Sequence, residues 1–433
     1  MDGDSLESDD GFDDSNREEG YDIVPLENLH LLHQLAANEN ENSSGESDFM
    51  EDLEDIHTFD TDLPSQHSYL GEDLEVLRGR TLLEDGSKHD LDILYHTYVV
   101  LVPGQTLPLT VFDPTTINMF QRCISKDHTF GVLCRSIENV NTTLIGTTAE
   151  IYEYQNEVVQ EARFRIKAKG RQRFKVLNTH VNNSMTATVE ILPEVRLNNS
   201  LDEIRIQSIN RYRRTHSLRC RKKDAMLTHW PLWVYEQYDV KQLINKIKNR
   251  LNFLEEESQA VRFKINVPDD PTELSFWIAY NLPIKEHDVK FLLTLNSPIQ
   301  RLRVELSLLQ KMEVLCCKHC RVQIGSHKDV FSMSVEGPQG TYVNPGGYIH
   351  ETLTLYQVES VIVFGTPSTD FSWFPGYAWS LAKCERCHIH LGWKFTATSN
   401  KLMPKQFWGL CRSSLTIELG GFYSMEEENN LVF

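Results

Sequence analysis

Two C-x-x-C pairs constrain the fold of this chain more than any other feature. Cys317 and Cys320 form the first pair, and Cys384 and Cys387 form the second after a gap of 63 residues. Each pair places two thiolates where a tight turn can direct them at one ion, and four thiolates complete a closed tetrahedral site. Redox-active dithiols are the competing interpretation. Because the pairs bracket a β-like stretch, the spacing favours one structural Zn2+ bound by all four cysteines.

Neighbouring residues leave alternatives for the ligand set. Cys316 can replace Cys317 in a C-x-x-x-C register, and His319, His388 and His390 are close in sequence. The C-x-x-C register is preferred because both pairs then match. Four ligands bind a single ion, whereas a RING ligase needs about twice as many, so the chain is not expected to be a RING ligase by itself. The remaining cysteines are expected to be ordinary thiols: Cys123, Cys134, Cys220 and Cys411.

Acidic residues are concentrated at the start of the chain. Residues 1–75 hold 24 of the 62 Asp and Glu but only one of the 43 Lys and Arg. They therefore carry −23, and the remainder (42 − 38) carries +4. Residues 1–58 have too little apolar surface to offset ordering entropy, so we expect a disordered acidic tail followed by an extended segment over 59–79. The net charge thus indicates neither an acidic nor a basic partner.

The sequence predicts neither a secretory signal nor a membrane span. The first residues are acidic, without a cationic start and an apolar run, and no uncharged apolar stretch approaches the ~20 residues that span a bilayer. We therefore expect a soluble intracellular protein. The basic stretch Arg211–Lys223 leaves a nucleic-acid interpretation open. Since no recognition motif accompanies it, we expect a solvated loop or a protein contact, and no nucleic acid as partner.

Hydrophobic periodicity divides the chain into β and helical regions. From Asp92 to Val195 the pattern predicts a small, mainly antiparallel β domain with a strand at Tyr98–Val102 and a helix at Pro114–Ser125. Helical spacing then covers Leu201–Tyr212, Val234–Phe253, Thr272–Leu282 and Glu286–Leu315, with Ser297 as a helix cap. Strands and turns return after Cys316. The fold class is therefore α+β: a β domain carrying a helical bundle, followed by a zinc-bound antiparallel β domain.

Aromatic residues cluster around the second cysteine pair. Trp373 and Trp379 flank a Pro-Gly turn that folds them toward each other, and Trp393 and Phe395 point to one face of a strand. A plain β-sandwich core explains any single Trp, but three Trp within 21 positions favour a cage. Such a cage suits a compact ring with an amide edge or, with Asp370 adjacent, a methylated cation.

These residues resemble the cereblon family, whose members are substrate receptors of cullin RING ubiquitin ligases. The chain is similar to that family at Tyr342–Pro345, His350–Thr354, Ser372–Trp379 and Gly392–Thr396. Pro103–Leu109 and Gly170–Phe174 resemble the amino-terminal domain of Lon proteases, which the family contains. Together the similar stretches lie within Phe59–Leu415.

The resemblance implies the domain limits and the site. It implies a Lon N-terminal-like domain over 80–311 with a helical adaptor-binding insert over 201–254. A CULT domain, the β-tent zinc domain of this family, would follow over 312–420, with a frayed end over 421–433. The implied ligands are cyclic imides, meaning glutarimides such as thalidomide and C-terminal cyclic imides on proteins. The implied ligand-binding residues are Asn344, Phe371, Ser372, Trp373, Trp379, Trp393 and Phe395.

The resemblance also implies partners and a location. The insert would dock onto the damage-specific DNA-binding adaptor protein that links receptors to the cullin, and captured targets would be ubiquitinated in cytoplasm and nucleus. The chain itself would have no catalytic residues. Three positions depart from the family: Phe371 and Gly346 stand in place of His, and Leu381 replaces a smaller or β-branched residue. Imide binding is expected to survive Phe371, because the family contact there uses the backbone, whereas the other two affect drug-recruited targets.

Alternative functions rest on single features. A Lon-type peptidase is not supported, since the chain has no G-x-x-x-x-G-K-[ST] loop and Thr354 replaces the second His of a zinc-protease motif. A methionine-sulfoxide-reductase-like enzyme would use Cys411 as nucleophile, but the sequence supplies no cationic surroundings to activate that thiol. A reader of methylated cationic side chains stays open, because it would use the same aromatic walls.

Overall fold

The structure is a computed structural model of the chain. The described residues are 57–71, 73–79, 81–96, 99–134, 144–155, 163–181, 185–198, 201, 218–251, 265–312 and 314–418. They all belong to one compact unit, Ile56–Phe433. Residues 1–56 of the predicted tail, nearly all of the predicted helix Leu201–Tyr212 and the predicted frayed end lie outside the described residues.

Residues 57–76, called the N-terminal segment below, contact both halves of this unit. The segment contains β1 (His57–Thr58), α1 (Leu63–Gln66) and β2 (Leu74–Val76). β1 pairs in parallel with Leu402–Met403, whereas β2 pairs in antiparallel fashion with a strand of the first half. Phe59 is buried, with its ring 5.4 Å from that of Tyr377. The segment therefore joins the beginning of the fold to its C-terminal half.

A seven-stranded sheet forms the first half. Beside β2 it contains β3 (Lys88–His96), β4 (Thr106–Val111), β5 (Thr129–Cys134), β6 (Ile145–Gln155), β7 (Phe164–Val181) and β8 (Met185–Ile191). The order is β2-β6-β5-β3-β8-β7-β4, with an additional pairing of β6 with β7. Within the described part of this sheet only the β3–β5 pairing is parallel, so the predicted mainly antiparallel domain is confirmed.

Aliphatic side chains fill one side of this sheet, beneath α2 (Pro114–Ser125), whose predicted bounds are confirmed. Asp113 caps α2 by accepting the Thr116 N–H at 2.9 Å. The buried residues, called the aliphatic cluster, are Val99, Leu101, Leu107, Leu109, Ile117, Met119, Phe120, Cys123, Phe130, Val132, Ala149, Ile151, Phe164, Ile166 and Ala168. The predicted strand at Tyr98–Val102 is wrong: residues 99–102 are buried but irregular, and the Leu101 carbonyl accepts from the Thr147 hydroxyl.

Helices lie between the two halves in sequence. They are α3 (Leu218–Met226), α4 (Leu232–Glu236), α5 (Val240–Leu251), α6 (Pro271–Asn281), α7 (Glu286–Thr294) and α8 (Pro298–Lys311). The single helix predicted over Val234–Phe253 is wrong, because the chain breaks between α4 and α5. Ser297 does precede α8, but its buried hydroxyl makes no capping bond. None of the helices in the described ranges is long and apolar enough to cross a membrane.

Two sheets form the second half. The strands are β9 (Val314–Cys317), β10 (Gln323–Ser326), β11 (Gln339–Val343), β12 (Ile349–Leu355), β13 (Val361–Ser368), β14 (Tyr377–Cys384), β15 (His390–Ala397), β16 (Leu402–Met403), β17 (Gln406–Cys411) and β18 (Leu415–Glu418). The large sheet has the order β11-β12-β17-β15-β14-β13, and the small sheet has β10-β9-β18. All neighbours in these two sheets are antiparallel, as the sequence predicted for this domain.

Candidate functional site: a cysteine tetrad and an aromatic cage

The four predicted zinc ligands meet at one point. Their sulfur atoms all lie within 4.8 Å of one another, with 3.6 Å between Cys317 and Cys387 and 3.5 Å between Cys320 and Cys384. Zn–S bonds of about 2.3 Å in a tetrahedron place sulfurs roughly 3.8 Å apart. The donor set and its spacing therefore fit one zinc ion. Cys316 is not part of the tetrad, so the C-x-x-C register is the one that the fold brings together.

The two pairs have the same backbone geometry. Arg321 and His388, directly after each pair, have φ angles of 60° and 59°, and each donates its N–H to the carbonyl of the first cysteine at 2.9 Å. A further backbone N–H, from Val322, lowers the pKa of Cys320 to about 7 and so favours its thiolate. Since β9 belongs to the small sheet and β14 to the large one, the tetrad joins the two sheets.

The three predicted cage tryptophans belong to one group of rings. The ring centroids of Trp373 and Trp393 are 4.7 Å apart at 73°. Trp373 is buried, whereas Trp379 and Trp393 are half-buried at the edge. The buried members, called the aromatic cluster, are Phe59, Phe331, Met333, Tyr342, Trp373, Phe374, Tyr377, Phe395 and Phe407. Trp379 and Trp393 thus form the partly exposed border of a core made largely of rings, to which Trp373 belongs.

Strand register explains how two of these rings are aligned. Trp379 on β14 lies opposite Phe395 on β15, and Leu381 lies opposite Trp393. Side chains directly opposite each other in an antiparallel pair share a face of the sheet, so Trp379 and Trp393 stand on the same side. Phe395 is 1% exposed and stacks on Phe407 at 5.0 Å, so it lies beneath the two half-buried indoles as part of the core.

The turn before β14 fixes the orientation of Trp379. Its indole N–H donates to the Asp370 carbonyl at 2.8 Å. Phe371 has a φ of 54° and an exposed side chain, so its ring points away from the core. The Ser372 hydroxyl donates to the Phe374 carbonyl at 3.1 Å and accepts from the Phe374 N–H. The predicted residues of this turn are therefore ordered by local bonds.

Asn344 lies in the turn between β11 and β12. Its side-chain oxygen accepts the Tyr348 N–H at 2.9 Å, and its own N–H donates to the Tyr348 carbonyl. A Cβ on Gly347, whose φ is 81°, would lie 2.8 Å from the Thr110 carbonyl of β4. The turn that carries Asn344 is therefore packed against the first half, a contact that the sequence did not indicate.

Three further residues contact the cage and were missed as site residues. His350 lies 5.0 Å from the Trp393 ring and 5.8 Å from the Trp373 ring, and its Nε2 is buried without a partner. His390 lies at the start of β15, the strand that carries Trp393, and its ring is 5.0 Å from that of Trp393. Tyr342 stacks on Trp373 at 5.0 Å and 10°. The alternation of side chains between the two faces of β11, β12 and β15 could have indicated that these residues share a face with the cage. Which of these strands lie side by side cannot be predicted from the alternation.

The histidines and Cys411 are held uncharged. Burial and the proximity of His390 lower the pKa of His350 to about 4, and burial also lowers the pKa of His390. Burial raises the pKa of Cys411 to about 12, although its sulfur lies 3.9 Å from His350 Nδ1. A thiol that stays protonated is a poor nucleophile. The geometry therefore gives no support to a reductase that uses Cys411.

A polar interface joins the second half to the first. Trp277 and Asn281 of α6 donate to the Glu336 carbonyl at 2.8 and 3.0 Å, and the Thr106 hydroxyl donates to the Glu336 carboxylate. Burial raises the pKa of Glu336. A cavity of about 10 Å³ lies beside Thr106 and Glu336, which is room for about one water molecule. This interface connects the halves but cannot hold an organic ligand.

Two family models match this chain, one over each half. Residues 91–311 match the substrate-binding domain of the ATP-dependent protease La (LON). Residues 313–430 match the family described as Yippee zinc-binding/DNA-binding/Mis18, centromere assembly. The α+β fold class and the single zinc ion held by the cysteine tetrad are thereby confirmed. The finer domain limits given by the sequence stay predictions.

Curated relatives match nearly the whole chain. Protein cereblon of Danio rerio is 41% identical over 417 residues, which cover 89% of this chain and 95% of the relative. Protein cereblon of Gallus gallus is 42% identical over 82% of this chain and 84% of its own length. Protein cereblon of Xenopus tropicalis is 39% identical over 92% of this chain and 94% of its own length. On this similarity, together with its Lon-type and zinc-binding halves, the chain belongs to the cereblon family.

Proposed function

We propose that the chain is the substrate-recognition subunit of a cullin RING E3 ubiquitin ligase. In this proposal the cage binds cyclic imides, either glutarimide ligands or C-terminal cyclic imides on proteins, and presents captured proteins for ubiquitination and degradation. The observation that carries the proposal is the border of Trp379 and Trp393 over a buried aromatic core, in a chain of this family. Flat apolar walls with few polar side chains suit a small neutral ring.

Electrostatics favour a neutral guest over a methylated cation. The same surroundings that lower the pKa of His350 and His390 disfavour any positive charge beside Trp393. Asp370, the acidic residue nearest in sequence, contributes its main-chain carbonyl to Trp379 while its side chain is exposed. A cation-binding cage gains most from a desolvated negative partner. The balance of charges therefore supports an imide.

The cage is ordered before a ligand arrives. Trp379 is oriented by its bond to the Asp370 carbonyl, and Trp373 is held between Tyr342 and Trp393. Walls already fixed in position lose little conformational entropy on binding. This arrangement supports recognition of a compact guest by shape, with no chemical step required of the chain.

Calorimetric titration of the zinc-loaded protein tests the ligand class. We expect glutarimide to bind with one site per chain and trimethyl-lysine not to bind. Trp379→Ala should abolish imide binding while the fold persists. Trp408→Ala is the matched control, because Trp408 lies opposite Lys394 on the other face of the same sheet. Binding of the cation alone, or normal imide binding by Trp379→Ala, would defeat the proposal.

An exposed apolar surface supports docking of the adaptor protein. Within α3, α4 and their connections, Met226, Leu227, Trp230 and Trp233 are each more than 60% exposed. Clustered exposed tryptophans are typical of protein interfaces, where they carry much of the binding energy. These residues lie in the predicted insert 201–254. We propose that this surface binds the damage-specific DNA-binding adaptor of the ligase.

Co-purification tests the docking surface. Trp230→Ala combined with Trp233→Ala should remove the adaptor from the purified complex. Leu177→Ala, an exposed apolar residue on β7, should leave the complex intact. Retention of the adaptor by the double variant would refute this surface. Location in cytoplasm and nucleus stays part of the proposal and is tested by fractionating cells.

A further inference from the structure

Two residues of the N-terminal segment contact the back of the cage. The Tyr69 hydroxyl accepts the N–H of Val343 at 3.2 Å, and it lies 3.0 Å from His67 Nδ1. Val343 directly precedes Asn344 at the end of β11. His67 is 3% exposed and Val343 is 1% exposed, and Tyr69 is half-buried, so both bonds lie largely inside the protein.

Aromatic contacts continue from these residues to the indoles. The Tyr342 ring lies 5.8 Å from His67 and 6.4 Å from Tyr69. On its other side it stacks on Trp373, which in turn contacts Trp393. Trp373 is thus packed between a cage wall in front and a ring held by the N-terminal segment behind. Rings in such contact move together, because a buried core has few alternative rotamers.

We propose that Tyr69 and His67 are positioning residues for the cage: they hold Tyr342 and the end of β11, and through them Trp373 and Asn344, in the arrangement that binds ligand. This inference rests on the proposed imide-binding function. Neither residue touches the ligand. If their loss lowers the fraction of molecules in the competent arrangement, the apparent affinity falls by the same fraction.

The tautomer of His67 sets the direction of its bond to Tyr69. The Tyr69 oxygen accepts from Val343, and it donates its proton to His67 Nδ1 when the neutral imidazole is protonated at Nε2. Burial, helped by the positive charge of Lys167, lowers the pKa of His67 to about 3, which keeps the ring neutral. Burial also raises the pKa of Tyr69, so the hydroxyl keeps its proton.

The segment is anchored on both sides of His67 and Tyr69. Arg165 of β7 binds both carboxylate oxygens of Asp73 at 2.8 and 2.7 Å, and Lys167 donates to the Gln66 carbonyl. Phe59 is buried at the other end of the segment. Because the chain is attached on both sides of His67 and Tyr69, these two residues are held in a fixed position in contact with Tyr342.

Titration of zinc-loaded variants with glutarimide tests the inference. Tyr69→Phe keeps the ring but leaves the buried Val343 N–H without a partner, so we expect about tenfold weaker binding. Tyr69→Ala also removes the contact with Tyr342 and should weaken binding further. Tyr154→Phe is the matched control: it removes a tyrosine hydroxyl bonded to Glu75 of the same segment at 2.9 Å, but that bond joins β2 to β6. It should bind like the wild type.

A spectroscopic readout separates positioning from general stability. The close indoles of Trp373 and Trp393 should give a coupled signal in circular dichroism, which Tyr69→Ala should change in fully folded protein and Tyr154→Phe should not. Unchanged affinity and an unchanged signal in both Tyr69 variants would overturn the inference while leaving the imide function intact. If the wild type binds no imide, the proposed function fails, and the signal alone then decides whether Tyr69 positions the rings.

Discussion

The aliphatic cluster of the first half and the aromatic cluster of the second are both fully buried at their centres, yet only the second borders the proposed binding site. The first cluster is mainly aliphatic and contains three rings, of which Phe120 and Phe130 form a single edge-to-face pair at 78°. In the second cluster nearly every side chain is a ring, and these rings meet one another directly, as Phe374 does with Phe395 and Phe407 at 74° and 85°. Where such a core reaches the surface, at Trp379 and Trp393, it presents flat walls. The comparison indicates that the composition of a core decides whether its edge can receive a guest.

Loss of the zinc ligands should produce the largest difference between the halves. Cys384→Ser removes one of four donors, and structural zinc sites contribute on the order of 10 kcal/mol to folding. We expect the variant to lose bound zinc, imide binding and the near-ultraviolet circular dichroism of the second half. The sheet of the first half should keep its far-ultraviolet signal. Cys134→Ser, outside the tetrad, is the control and should retain about one zinc per chain.

Equivalent truncations in the two clusters should separate stability from binding. Phe374→Ala and Phe120→Ala each remove a ring that is 0% exposed, and each should lower the free energy of unfolding by about 3–5 kcal/mol. Only Phe374→Ala should also weaken imide binding, because Phe374 contacts Phe395 and Tyr342 beneath the indoles. Urea unfolding and calorimetry measure both effects. Equal loss of binding in the two variants would contradict the comparison.

Acid should destabilise the folded chain through His67 and His350. Burial lowers their pKa values from 6.5 to about 3 and about 4, so both are neutral when folded, whereas the unfolded chain takes up protons below pH 6.5. Above pH 6.5 neither histidine penalises folding, and below pH 6.5 each lowers the free energy of unfolding by up to about 1.4 kcal/mol per pH unit until its folded pKa is reached, near 4 for His350 and near 3 for His67. Urea unfolding between pH 7 and pH 4 should show a shallower slope for His67→Asn. Parallel slopes in wild type and variant would refute the assignment.

The smallest effect is expected at the rim of the cage. The Phe371 side chain is 59% exposed, so Phe371→His should change the free energy of unfolding by less than about 0.5 kcal/mol. Imide affinity should change by less than about threefold, which is below ~0.7 kcal/mol. Calorimetric titration of the wild type and of Phe371→His with glutarimide measures this difference in affinity. A loss as large as that predicted for Trp379→Ala would mean that the ring at position 371, and not the indole border, dominates binding.

Local sequence patterns were sufficient for the zinc site and for α2. The C-x-x-C spacing defines which sulfurs converge, and Asp113-Pro114 marks the start of the helix because both act within one turn. The irregular stretch at 99–102 has the composition of a strand, yet its neighbours are Thr147 and the close backbone of Gly170, whose Cβ would lie 2.3 Å from the Val102 carbonyl. Only the tertiary structure reveals that crowding.

The supports of the cage could not be predicted from local pattern. Tyr342 and His350 are paired in the β11–β12 hairpin, whereas Tyr69 comes from a distant part of the chain and reaches them because the hairpin ends the large sheet beside the N-terminal segment. Trp373, Trp379 and Trp393 were identified because they are dense in sequence. The residues that hold these indoles in place are scattered along the sequence. The sequence therefore predicted the cage walls but not the residues that support them.

A crystal structure of the zinc-loaded protein soaked with glutarimide tests the central claim most directly. The account predicts one ring bordered by Trp373, Trp379 and Trp393, with zinc at the four cysteines and His350 neutral beside the indoles. Indoles that pack against one another with the imide bound elsewhere, or not at all, would contradict it.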